Sequence, residues 1–180
     1  MNKRGQVTTI LYVVGGLLGV VLLAYFLMLG WGTVKLASDE LIPALNSFGE
    51  ITDGVNLSNY TETVLTPVDS VIGNFGLMIG LIFILGIVGI LSMAFMFRNS
   101  YNVWTISLFV VSIGLLIILS IFISNSYEDF YLEQGEFGDN FRDASLASYL
   151  IIQSPVIMTI VAFIAGIILF TGNREDQFNA

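Results

Sequence analysis

The stretch that decides the fold is Val71–Phe97, VIGNFGLMIGLIFILGIVGILSMAFMF, which contains no ionisable side chain from end to end. A helix needs roughly 20 apolar residues to cross about 30 Å of hydrocarbon, and this run is longer than that. Lipid offers backbone amides no partner, so the run is expected to be a helix. It also lacks the apolar–polar alternation of a barrel strand.

Working outward, three further runs have the same character. Residues 7–36 carry no charge before Lys35, residues 103–124 carry none, and residues 148–171 are interrupted only by Gln153 and the Ser154–Pro155 pair. The first run exceeds what a bilayer requires, so that helix should tilt or project. Pro155 removes a backbone donor and should kink the fourth helix near one end or mark its start. The expected fold is all-α: a polytopic membrane protein, one membrane domain over residues 1–180, with four transmembrane helices at about 7–36, 71–97, 103–124 and 148–171. The five-residue turn 98–102 is expected to fold the second and third spans into an adjacent antiparallel hairpin.

Charge sets the expected orientation. Lys and Arg accumulate in short cytoplasmic segments. Here Lys3 and Arg4 precede the first span, Arg98 lies in the turn between spans two and three, and Arg174 follows the fourth. Both termini are therefore expected in the cytoplasm, with loops 37–70 and 125–147 outside. Those loops hold twelve of the 14 acids: Asp39, Glu40, Glu50, Asp53, Glu62 and Asp69 in the first, and Glu128, Asp129, Glu133, Glu136, Asp139 and Asp143 in the second. The second also interleaves Tyr127, Phe130, Tyr131, Phe137 and Phe141, aromatics suited to a headgroup layer or a protein contact.

Composition narrows the chemistry. Of the 180 residues, 56% are hydrophobic and 11% charged, with mean hydropathy +0.87. A soluble domain carries about a quarter of its residues as charged groups. There is no cysteine and no histidine, so the common ligands of zinc, copper, haem and iron–sulfur centres are missing, together with the usual thiol nucleophile and neutral-pH base. No cofactor and no metal is expected. The acids of 125–147 lack the alternate spacing and central glycine of a calcium loop, as Asp139, Asn140, Phe141, Arg142 and Asp143 show. A net charge of -8 gives no basic footprint for phosphates, so no nucleic-acid partner is expected.

No ionisable group lies mid-span, where ion pathways and proton relays would need one. The polar residues at depth are Ser92, Ser107, Ser112, Ser120 and Thr159, which ordinarily bond within their own helix or across a helix contact. Small residues recur four apart: Gly15 and Gly19, Gly76 and Gly80 with Gly86 further along, and Ala162 and Gly166. Such pairs let helix backbones approach closely, and these seven are the expected helix-packing positions. Asn56-Leu57-Ser58 and Asn59-Tyr60-Thr61 fit the N-glycosylation pattern, making Asn56 and Asn59 candidate acceptors in the outward loop.

The amino terminus, Met1-Asn2-Lys3-Arg4-Gly5-Gln6-Val7, resembles the class III, type IV prepilin-like signal of archaeal surface proteins. The resemblance covers about ten residues and implies cleavage between Gly5 and Gln6, and an archaeal or viral source. Ile10 stands where mature bacterial pilins carry a glutamate, and pilins have one span. A plain signal-anchor with a positive flank accounts for the same residues.

These features point to a non-catalytic structural or assembly subunit of a membrane or cell-envelope complex. Its expected partners are membrane lipid and other membrane subunits or further copies of itself, and its expected place is a plasma or virion membrane. The alternative is a small oligomeric channel or holin-like pore. An intramembrane enzyme is the weakest reading, because no span offers a base to a nucleophile.

Overall fold

The computed structural model describes residues 3–47, 50–52, 55–56, 61–98 and 103–171. Within them the chain is helical except for one short strand pair. Helix α1 spans Lys3–Ser47. Strands β1, Glu50–Thr52, and β2, Val55–Asn56, pair antiparallel with Glu50 opposite Asn56. A π-helical turn over Thr61–Leu65 leads into α2, Thr66–Met96, whose first turn carries Pro67, where a missing amide costs nothing. Then follow α3, Val103–Leu132; α4, Glu136–Asp143; α5, Ser145–Ile152; and α6, Ser154–Phe170.

Three helices are long and apolar enough to cross a membrane, and α5 with α6 makes a fourth if the bent pair counts as one span. At about 1.5 Å per residue the 45 residues of α1 reach about 67 Å, well beyond the hydrocarbon. By contrast the 17 residues of α6 reach only about 25 Å. The fourth apolar run, expected over 148–171 with a kink or a start at Pro155, is broken by 68° at Gln153. Pro155 in the first turn of α6 has no amide to give the Ile151 carbonyl, so the helix ladder cannot run through.

The segment expected as an outer loop, 125–147, is largely helical. α3 continues to Leu132 because its inward row, Leu116, Ser120, Ser124 and Tyr127, is extended past the first charges by the partly buried Phe130 and Tyr131. A helix does not end where the bilayer does. The 37–70 segment likewise begins as the C-terminal turns of α1 and ends as the start of α2.

α1 is the spine. Its buried residues Ile10, Val13, Leu17, Val21, Ala24, Met28 and Trp31 are three or four apart throughout, a seam of the coiled-coil kind. Contacts along it fix the direction of each neighbour. Gly16 meets Ile90 and Val20 meets Gly86, while Trp31 bonds Ile72, so α1 and α2 are antiparallel. Gln6 meets Thr105 and Tyr25 meets Ser126, so α1 and α3 are parallel. Gly166 meets Phe109 and Ile152 meets Ser124, so α6 with α5 runs antiparallel to α3.

The order around the bundle differs from the expected hairpin. α1 packs on α2 and α3, and α6 packs on α3 and α2, whereas α2 and α3 are not principal neighbours among the described residues. They stand diagonally, with α1 and α6 between them. Helices 8–10 Å apart put a diagonal at about 13 Å. Five residues reach about 17 Å, so the short connection permits the diagonal that adjacency reasoning excluded. What selects it is α1, whose seam offers α2 and α3 more surface than they offer each other.

Apolar side chains fill the interior. Leu17, Val21, Met28, Ile79, Phe83, Leu116, Met158 and Ala162 form the main cluster, and Ile10, Val13, Ala94, Phe109, Ala165 and Leu169 close one end.

Candidate functional site

The end of the bundle opposite the chain's amino terminus carries the most built polar structure. Three helix ends converge there under α4 and α5, which together form a cap. Gly135 makes the turn into the cap with φ +107°, a conformation glycine adopts without strain. Arg142 of α4 then reaches back to α3. Its Nη1 donates to the carbonyls of Tyr131 at 2.7 Å and Glu133 at 3.1 Å, and its Nη2 to Asp139 at 2.5 Å. A guanidinium on the last carbonyls of a helix meets the negative end of its dipole, which explains why α3 stops here.

Beneath Arg142 lies a buried chain of hydroxyls. Ser148 Oγ donates to the Phe141 carbonyl at 2.5 Å, so the 2.7 Å bond between Ser148 and Tyr127 has the tyrosine as donor. Tyr127 and Phe141 meet edge to face at 5.5 Å, and Phe137 meets Phe141 at 4.9 Å. The aromatics of 125–147, compatible in sequence with a headgroup layer, are thus in part a miniature core. Ser124 donates to the Ile152 carbonyl at 2.5 Å, tying α3 to the α5 side of the break at Gln153.

On the α1–α2 side Lys35 bonds Asp39 at 2.7 Å and lies 3.7 Å from Asp69, which also accepts from Ser38 at 3.1 Å. The cation is thereby shared by acids from two helices. Among the described residues no three His, Cys, Asp or Glu side chains gather as a metal site.

The seven small residues expected to pack fare differently. A Cβ on Gly76 would stand 2.6 Å from Ala144 Cβ, one on Gly80 2.8 Å from Leu146, one on Gly86 2.7 Å from Val20, and one on Gly166 2.8 Å from Phe109. Ala162 is fully buried in the main cluster. Gly15 and Gly19 have nothing within 4 Å. At about 100° per residue they lie about 160° from Leu17, the middle of the α1 seam, and so face outward. Two glycines that four-residue spacing did not single out do pack: Gly16 receives Ile90, and Gly32 receives the ring of Phe141. Reading the glycines against the seam would have found them, had the seam been visible in an all-apolar helix.

Four of the five hydroxyls expected at depth bond their own backbones. Ser92 bonds Val88, Ser107 bonds Val103, Ser120 bonds Leu116 and Thr159 bonds Pro155, each to the carbonyl four residues earlier. Ser120 alone of these is buried, among apolar neighbours. At the amino-terminal end Thr105 donates to Gln6 at 3.3 Å, and the Gly5–Gln6 bond lies within α1. Asn56 falls in β2, and Asn59 lies outside the described residues. Shallow apolar grooves follow the helix seams, such as that between α1 and α2 floored by Gly30 and walled by Phe26 and Phe75.

No family model, no curated protein and no solved structure matches this chain.

Proposed function

We propose that the chain is a non-catalytic structural or assembly subunit of a membrane or cell-envelope complex, crossing the bilayer four times with α5 and α6 as one broken span. The observation that carries this reading is the bundle interior. Among the described residues it is filled by apolar side chains, and Ser92, Ser107, Ser120 and Thr159 are spent on their own helices. A single copy therefore offers neither a conduction path nor a reactive group.

The orientation follows the cations. Lys3, Arg4 and Arg98 belong to one end of the bundle, taken as cytoplasmic along with both termini. The described acids lie at the other end, and the two cations there, Lys35 and Arg142, are each paired with a carboxylate. The outer surface is thus net acidic and rigidly displayed on helices, suited to contact with other envelope components. The outward faces of α1 and α2 meet lipid or neighbouring subunits.

Gentle detergent extraction of the native membrane, followed by identification of co-purifying proteins, tests the reading. Stable partners in fixed proportion are the expected result. A lone species that carries solute flux when reconstituted in liposomes would replace it with the pore.

A further inference from the structure

The cap formed by α4 and α5 is joined to the bundle at two points suited to rotation. One is Gly135 with its φ of +107°, and the other is the 68° break at Gln153, where Pro155 interrupts the helix ladder. Between these points the two helices are tied to each other, since Ser148 donates through its backbone to Ala144 and through its hydroxyl to the Phe141 carbonyl. Such a pair moves as one body.

Its underside is held by fitted contacts: the Phe141 ring over Gly32, Ala144 against Gly76 and Leu146 against Gly80. Two buried polar groups, one in the cap and one at the break that adjoins it, have no partner. They are the Nδ2 of Asn140, a residue 5% exposed in α4, and the Oγ of Ser154, fully buried at the break itself. Burying an unpaired donor or hydroxyl is unfavourable, and lifting the cap would let water reach Asn140 and the break where Ser154 lies. No other described side chain that is not exposed buries such an atom unpaired, so the uncompensated polarity lies in the cap and at the break beside it.

We propose that the cap is a lid set close to balance, opening as a unit about Gly135 and Gln153 while the four-helix body stays packed. Opening uncovers the Gly32 and Gly76 notches and the buried face of Tyr127, an apolar surface on the outer ends of α1, α2 and α3 that the closed state hides. The inference concerns the cap alone and holds whether the body acts as an assembly subunit or as a pore element.

Deuterium uptake by the full-length protein in lipid nanodiscs tests it. Amides of 136–152 are expected to exchange together, faster than those in the middle of α2 and α3. Replacing either unpaired group, by Ser154→Ala or Asn140→Leu, should slow exchange in the cap about tenfold, because the closed state no longer buries it. Tyr127→Phe, which removes the donor to Ser148, should speed exchange about tenfold in the cap and leave α2 unchanged. Cap amides protected as strongly as those of α2, or cap exchange indifferent to both Ser154→Ala and Asn140→Leu, would overturn the lid.

Discussion

Phe141 occupies the notch that Gly32 leaves in α1: a Cβ on that glycine would stand 2.6 Å from the ring's Cζ. The pair joins the outer part of the longest helix to the short helix of the cap, across more than a hundred residues of chain. Each fixes the other's tolerance. Only the absence of a side chain at 32 admits an aromatic ring at 141, and only a flat ring fills the space without a void.

Gly32→Ala therefore overfills the interface. The added methyl should cost about 1–3 kcal/mol, since well-packed sites resist even one carbon. Reversible unfolding in mixed detergent measures the loss, and Gly32→Ala combined with Phe141→Leu should recover part of it. A single variant as stable as the parent would mean that the ring does not sit on α1.

The small residues divide into two classes that mutation should separate. Gly86→Ala and Gly166→Ala push a methyl against Val20 and Phe109, and each should lower bundle stability by about 1–3 kcal/mol. Gly15→Ala and Gly19→Ala enter open space and should leave the stability of the single chain within about 0.5 kcal/mol. Cross-linking run beside the unfolding curves separates a fold effect from an effect on self-association.

Arg142→Ala withdraws three hydrogen bonds from the junction of α3 and α4. The group is about a third exposed, so solvent screens much of the ion pair with Asp139, and the expected loss is about 1 kcal/mol, confined to the cap. Arg142→Lys should recover little, because an ammonium cannot span two carbonyls and a carboxylate in one plane. Limited proteolysis near Gly135 reports the change.

Because the chain has no cysteine, single cysteines report topology without background. A thiol at position 129 or 136 should react with an impermeant reagent added to intact cells, and one at position 98 only after the membrane is breached. The reverse pattern would invert the proposed orientation and leave the helix packing untouched.

The membrane character of this chain was legible in the sequence because the bilayer imposes a length and a charge rule on each run separately. Val71–Phe97 passes both rules whatever it packs against. The break near Pro155 was legible for a similar local reason, a missing amide.

Helix neighbours and the packing glycines of α1 were not legible. In water, a helix declares its inner face by the contrast between apolar and polar sides; here Phe26 and Leu85 face outward while Leu17 and Phe83 face inward, and all four are equally apolar. With no contrast along α1, four-residue spacing could not distinguish Gly15 and Gly19 from Gly16 and Gly32, nor could the length of the 98–102 connection show that α2 and α3 stand diagonally. Composition and backbone chemistry determined that helices form with the length and apolarity to cross a membrane. Which surfaces meet was decided by the fit of particular side chains to particular gaps, because dispersion between packed atoms, unlike the exclusion of charge from lipid, depends on geometry that only the assembled bundle possesses.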